Sequence, residues 1–174
     1  MESSPHSSAT PGPTGQMAST PTESAAGAKP GLHLKRPCLI VADLERSLTL
    51  YRDVLGFRLD YVGEASASSY LYTVFAIPPQ AEVTFAALST EREVRALALT
   101  EVKGVAIPPP SPPYAIGTVI QVAEIAPTIT AVEALGLPAV PPMQFTAPPN
   151  LTFTEQGFRD FDGHLIILYQ VTGH

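Results

Sequence analysis

Leu34 to Val41 reads as a strand, and Asp43 stands just after it as a helix N-cap. Leu44, Leu48, Tyr51 and Leu55 then recur at helical spacing on one face, and Gly56 falls where a glycine ends a helix. Arg58–Gly63 reads as a second strand. Ser66–Ile77 fits two readings: Tyr70, Val74 and Ile77 lie at helical spacing, while the β-branched and aromatic content also suits a strand. Glu82–Leu88 and Val94–Val102 are two further strands, joined by the charged turn Thr90–Glu93. Next comes Pro108-Pro109-Pro110-Ser111-Pro112-Pro113, a stiff connector and the boundary between the two halves.

The second half repeats the first. Ile116–Val122 is a strand, Pro127 sits near a helix start, Ile129, Val132 and Leu135 form an apolar stripe, and Gly136 ends it. Val140–Ala147, Leu151–Gly157 and His164–Gln170 are strands. Val41-Ala42-Asp43 matches Val122-Ala123-Glu124 at an offset of 81 residues, and Leu55-Gly56-Phe57 matches Leu135-Gly136-Leu137 at an offset of 80. Each half alone is too small to cover its sheet. The expected fold is α+β: two βαβββ modules, about 32–105 and 113–174, forming one curved mixed sheet with a concave cavity and two outer helices. Together they make one domain over 32–174.

Residues 1–31 carry Pro, Ser, Thr, Ala and Gly with no hydrophobic period, and read as a disordered tail. The 174-residue chain is 45% hydrophobic with a net charge of −6, which suits a packed core and argues against a nucleic-acid partner or a charge-bound membrane surface. A single cysteine, Cys38, excludes an intrachain disulfide and a thiolate zinc cluster. There is no apolar run of membrane-spanning length and no signal-peptide core in the first 30 residues, so a cytoplasmic protein is expected.

Val41-Ala42-Asp43-Leu44-Glu45-Arg46-Ser47 with Tyr51-Arg52-Asp53-Val54-Leu55-Gly56-Phe57 resembles the first helix signature of the vicinal oxygen chelate superfamily. That group includes glyoxalase I, extradiol dioxygenases and bleomycin-resistance proteins. Phe158-Arg159-Asp160-Phe161-Asp162-Gly163-His164 resembles the turn before its last strand, with Phe161 where the family usually has proline. The resemblance spans about 32–173. It implies a divalent metal on the concave face, held by four strand positions.

Those positions here are Arg36, Gly117, Ile167 and a place near Leu99 or Glu101. A guanidinium has no lone pair to give a cation, and Gly117 and Ile167 have no donor atoms. His6, His33, His164 and His174 show no ligand spacing. No metal and no cofactor are expected.

Strand alternation then places Cys38 and Ile40 inward with Arg36, Val119 and Gln121 inward with Gly117, and Leu165 and Tyr169 inward with Ile167. The expected cavity is apolar with Arg36, Gln121, Tyr169 and Glu101 as its polar groups. Arg36 would hold an anion, and Glu101 or Tyr169 would move a proton. The expected lining is Cys38, Tyr70, Leu99, Gly117, Val119, Gln121 and Ile167. Tyr70, Tyr72 and Phe75 lie where relatives shape the rim. Against these stand the ordinary structural roles: an ion pair for Arg36, and core packing for the aromatics and Cys38.

Three functions follow. One is a metal-independent lyase or isomerase acting on a small aromatic or acidic metabolite. Another is a non-catalytic protein that sequesters a small molecule or antibiotic. The third is a metal-dependent lyase or dioxygenase of the same fold. The resemblance also implies a homodimer.

Overall fold

Asp43 starts the first helix in the computed structural model, which describes residues 32–172: its carboxylate accepts the Arg46 N–H at 2.9 Å. The tail expected over 1–31 lies outside the described residues. Strand β1 (Cys38–Val41) leads into helix α1 (Leu44–Leu48), which widens into a π-helical turn over Thr49–Val54. The Leu55 N–H bonds the Leu50 carbonyl at 2.8 Å there, so Leu50 joins Leu44, Leu48 and Tyr51 in the buried stripe. Gly56 ends the helix at φ +83°, a conformation that a side chain disfavours.

Strand β2 (Arg58–Glu64) and helix α2 (Tyr70–Val74) follow. The ambiguous stretch is thus helical, with Ser69 as its cap: the Ser69 hydroxyl accepts the Leu71 N–H. Strands β3 (Glu82–Ser89) and β4 (Leu97–Lys103) complete the first module. The second module runs β5 (Gly117–Gln121), α3 (Ile125–Ala134), β6 (Met143–Ala147), β7 (Leu151–Arg159) and β8 (Leu165–Thr172).

The two modules are the two βαβββ units read from the sequence. Each makes a four-stranded mixed sheet, in the orders β1-β4-β3-β2 and β5-β8-β7-β6. These are two hydrogen-bonded sheets rather than the one continuous sheet expected. In both, the crossover helix covers one face. Leu39, Val41, Leu99, Ile166, Leu168 and Phe158 pack with Leu44, Leu48, Ile129 and Val132 in one shared core. No helix among the described residues is long and apolar enough to cross a membrane.

The modules share one device at helix initiation, although only Asp43 adds a side-chain cap of its own. Val41 pairs with Glu101 across β1 and β4, and Glu101 Oε1 accepts the Leu44 N–H at 2.9 Å. At the matching place Gln170 Oε1 accepts the Ile125 N–H at 2.8 Å. Each last strand therefore caps its own module's helix. Glu101 also pairs with Lys103 at 3.0 Å. The expectation that Glu101 and Leu99 face the cavity is overturned: both lie on the helix side, Leu99 in the core and Glu101 bound to a helix N-terminus.

Strand β1 is an edge strand, and its free edge would leave backbone groups without partners. The turn between β7 and β8 supplies them. His164 Nε2 donates to the Ile40 carbonyl at 2.7 Å, and the Ala42 N–H donates to Asp162 Oδ1 at 3.0 Å. Because a carbonyl only accepts, the Nε2 of His164 carries the proton. Asp160 fastens the turn: Oδ1 accepts the Asp162 and His164 N–H groups at 3.0 and 2.8 Å, and Oδ2 accepts the buried Tyr51 hydroxyl at 2.7 Å. Burial and the Asp160 carboxylate together push the Tyr51 hydroxyl well above its ordinary pKa, so it remains a donor. Arg46 adds an ion pair to Asp162 at 3.3 Å and lies 5.1 Å over the Phe161 ring.

Two outcomes test these joints. Glu101→Ala strands the Leu44 N–H and is expected to cost about 1–3 kcal/mol in urea unfolding, whereas Glu101→Gln, the residue type of the second module, recovers most of it. Asp162 has one buried oxygen without a hydrogen-bond partner, and burial raises its pKa above the usual 3.8 against the pull of the Ala42 N–H. A carboxyl with a raised folded-state pKa favours folding in acid, and that contribution is lost as the pH rises through the raised value. The stability of the natural protein relative to Asp162→Asn should therefore increase as the pH falls from neutral toward the carboxylate range. A difference constant with pH, read from urea midpoints, would refute it.

Candidate functional site

The faces turned away from the helices carry the side chains that the alternation placed inward. On the first sheet, register aligns Cys38 with Ala98, Ile40 with Thr100, Thr100 with Phe85, and Phe85 with Gly63. Arg36, two residues before β1, joins this face: its guanidinium lies 5.7 Å from the Phe85 ring centroid. Tyr61 also packs against Phe85, with ring centroids 6.4 Å apart. The guanidinium makes one long bond, 3.5 Å, to the Arg95 carbonyl, which leaves most of its donors uncommitted among the described residues. Arg36 is half-buried.

Cys38 sits beside it, half-buried, with its sulfur 3.1 Å from the Thr100 hydroxyl. Burial raises the thiol pKa, against the opposing effects of that hydrogen bond and of Arg36. The thiol is thus a weak nucleophile and a small apolar wall element. The far end of this face is filled rather than open. Ile77, Ala81, Val83 and Val102 form a satellite core there, with Leu71 and Tyr72 of the α2 segment packed against it. Tyr72 donates to the Ala81 carbonyl at 2.9 Å. Tyr70, expected in the lining, is 75% exposed at the start of α2.

On the second sheet Gly117 aligns with Leu165, Val119 with Ile167, and Gln121 with Tyr169. A side chain at position 117 would press on Leu165 and Ile167, at 3.2 and 3.4 Å, which places all three on one face. Tyr169 stacks on Phe153 at 5.6 Å, and Phe153 stacks on Phe145 at 5.2 Å. The three rings form a ladder across β8, β7 and β6, with Glu155 and Gln121 beside Tyr169 in the register. This face is open: Val119 is 60% and Phe145 42% exposed. Alternation along β6 and β7 carries Phe145 and Phe153 to this open side rather than into the core.

The structure thus brings Arg36 and Cys38 together on the first sheet, and Gly117, Val119, Gln121, Ile167 and Tyr169 on the second. Leu99 and Glu101 belong to neither face. The repeat offset also identifies the fourth metal position. Cys38 pairs with Ala98 as Val119 pairs with Ile167, so Ala98 stands where the sequence reading had Leu99 or Glu101. Arg36, Ala98, Gly117 and Ile167 offer no lone-pair donor side chain, so the four positions do not fit a divalent cation. Among the described residues no group of three or more His, Cys, Asp and Glu side chains is placed to hold a metal ion.

The sequence reading missed the cleft where the modules meet. It encloses about 570 Å³ and is lined by residues of the connector (Ile107–Pro110), by Leu137 and Pro138, and by the Arg159–His164 turn. The turn motif and the proline run were both visible in the sequence. Nothing in a linear pattern says that they face each other.

A sequence profile described as the glyoxalase/bleomycin resistance protein/dioxygenase superfamily matches residues 32–168. No curated protein matches the chain in sequence. Among solved structures, a glyoxalase family protein from Bacillus cereus superposes with a TM-score of 0.62 at 16% identity, over 84% of this chain and 100% of that one. Glyoxalase I of Leishmania major, described as trypanothione-dependent, gives 0.55 at 17% identity, over 80% and 86%. The fosfomycin resistance protein FosX of Listeria monocytogenes, complexed with Mn(II) and sulfate, gives 0.51 at 17% identity, over 83% and 95%. At these identities the likeness is one of fold. The matching profile, the repeated βαβββ module and the shared fold place this chain in the glyoxalase/bleomycin resistance protein/dioxygenase superfamily.

Proposed function

We propose that this protein binds a small planar, acidic compound on the inner face of its first sheet, without a metal, and holds it rather than transforming it. The observation that carries this is Arg36 lying on Phe85 on the inner face, where the family resemblance implies a metal ligand. A guanidinium there carries the positive charge itself: it repels a cation and attracts a carboxylate, phosphonate or phenolate directly. Phe85 and Tyr61 supply flat apolar surface for a ring, and Cys38, Ala98 and Thr100 make a small-residue floor.

Binding is favoured over catalysis by the fate of the proton carriers. Glu101 is committed to the Leu44 N–H and Lys103 on the helix side. Tyr169 belongs to the second sheet, stacked on Phe153. The titratable group beside Arg36 is the Cys38 thiol, whose pKa burial raises, so it stays protonated and is a poor general base.

The open aromatic ladder supports a homodimer as part of this reading. One copy's ladder, flanked by Glu155, is complementary in charge to the Arg36 face of a second copy, and a two-fold arrangement covers both open faces at once. The protein so described is cytoplasmic.

Titration calorimetry with benzoate and phenylphosphonate tests the site. Arg36→Gln should weaken binding by about tenfold or more while leaving the urea midpoint unchanged. Mn(II) or Zn(II) should neither raise the melting temperature nor change the affinity. Equal affinity of the variant and the natural protein would refute the anion-holding role. Sedimentation equilibrium should find a dimer that Phe145→Asp dissociates; a monomer throughout would remove that part of the reading.

A further inference from the structure

We propose that the cleft at the module join is a second small-molecule site, which takes an apolar or aromatic carboxylic acid with its carboxylate on Arg159. The cleft's volume, about 570 Å³, lies within the range of small-ligand pockets, roughly 300–1,000 Å³. Arg36, Cys38, Tyr61, Phe85, Ala98 and Thr100 are absent from its lining, so this site is separate from the one proposed above.

Its walls are held in place by groups that a ligand would not have to order. On one side the turn is fastened by Asp160 and by the His164 bond to Ile40. On the other, Pro108–Pro110 have restricted backbones. The two sides meet at Gly163, φ +89°, where an added Cβ would lie 3.3 Å from both Pro109 and Pro110. A side chain at 163 would crowd the connector and strain the backbone at this φ, so glycine suits the close approach. A cleft formed in advance loses little entropy on binding.

The chemistry follows from which groups remain available. Ile40, Ile107, Leu137 and Pro138 present apolar surface to a hydrocarbon or ring. Both Asp160 oxygens are spent on the turn and on Tyr51. Asp162 gives Oδ1 to Ala42 and Arg46, and its Oδ2 is occluded. Arg159 is the exposed charge in the lining, and it donates one bond, 3.1 Å, to the Tyr114 hydroxyl. Its remaining donors suit a carboxylate at the mouth, with the apolar body directed inward.

Amide chemical-shift titration with 3-phenylpropanoate tests this. Saturable shifts are expected at the Phe161, Gly163 and Ile107 amides, and they should persist in Arg36→Gln. Arg159→Gln should weaken them by about tenfold. Ala42→Leu, a change at an exposed position in the lining, should abolish them while the rest of the spectrum stays folded. Shifts confined to the Phe85 and Thr100 amides, shifts indifferent to both Arg159→Gln and Ala42→Leu, or no saturable shift at all would overturn the proposal. Loss of the Phe85 shifts alone in Arg36→Gln would bear only on the first-sheet site.

Discussion

An edge strand must find partners for its outer backbone groups, and in this protein a turn supplies them with side chains. His164 and Asp162 bond Ile40 and Ala42 along the free side of β1. Asp160 holds the turn in shape and reaches back to Tyr51 in the first helix. Without this grip the edge of β1 would be open to pairing with another chain. With it, the helix faces of both sheets merge into one core, from Leu39 and Val41 through Val132 to Ile166 and Leu168. The cleft beneath the connector is a direct consequence, since the same turn forms one of its walls.

The two modules show how a duplicated unit diverges. The demand that a helix start be capped is met twice by one device, a side-chain oxygen from the last strand at Glu101 and at Gln170. The turns preceding those strands have parted. Thr90–Glu93 closes on itself at the surface, through Thr90 N–H to the Glu93 carbonyl, whereas Asp160–His164 extends to the other module. The inner faces have parted further. One carries a cation on an aromatic ring and a filled end, the other an open aromatic ladder. The capping device recurs in both modules, while their inner faces differ.

Charge decides what such a face can hold. A set of neutral or anionic ligands concentrates a cation; a guanidinium repels one and draws anions. Arg36, Ala98, Gly117 and Ile167 therefore offer a cation no donor, and Arg36 gives this face a preference for anions. Phe85 beneath the guanidinium offsets part of the cost of desolvating it, which makes a half-buried arginine tolerable before any ligand arrives.

Local rules made much of this legible in the sequence. The Asp43 cap, the Gly56 and Gly136 stops, the strand–helix–three-strand repeat and the inward placement of Arg36 and Cys38 follow from spacing and alternation along one segment. The same rules placed Gly117, Val119, Gln121, Ile167 and Tyr169 on a common face. They failed at Glu101, because a one-residue error in register moves a side chain to the opposite face, and only pairing with Val41 sets that register. They also failed at the aromatic ladder, whose rings come from three strands, and at the cleft, whose walls are remote in the chain. The order and kind of the elements belong to the sequence by itself, since hydrogen bonds and steric limits between near neighbours dictate them. Which faces meet, which edge is covered and which polar groups remain free were decided by the tertiary structure, because those outcomes depend on contacts between residues that local pattern does not relate.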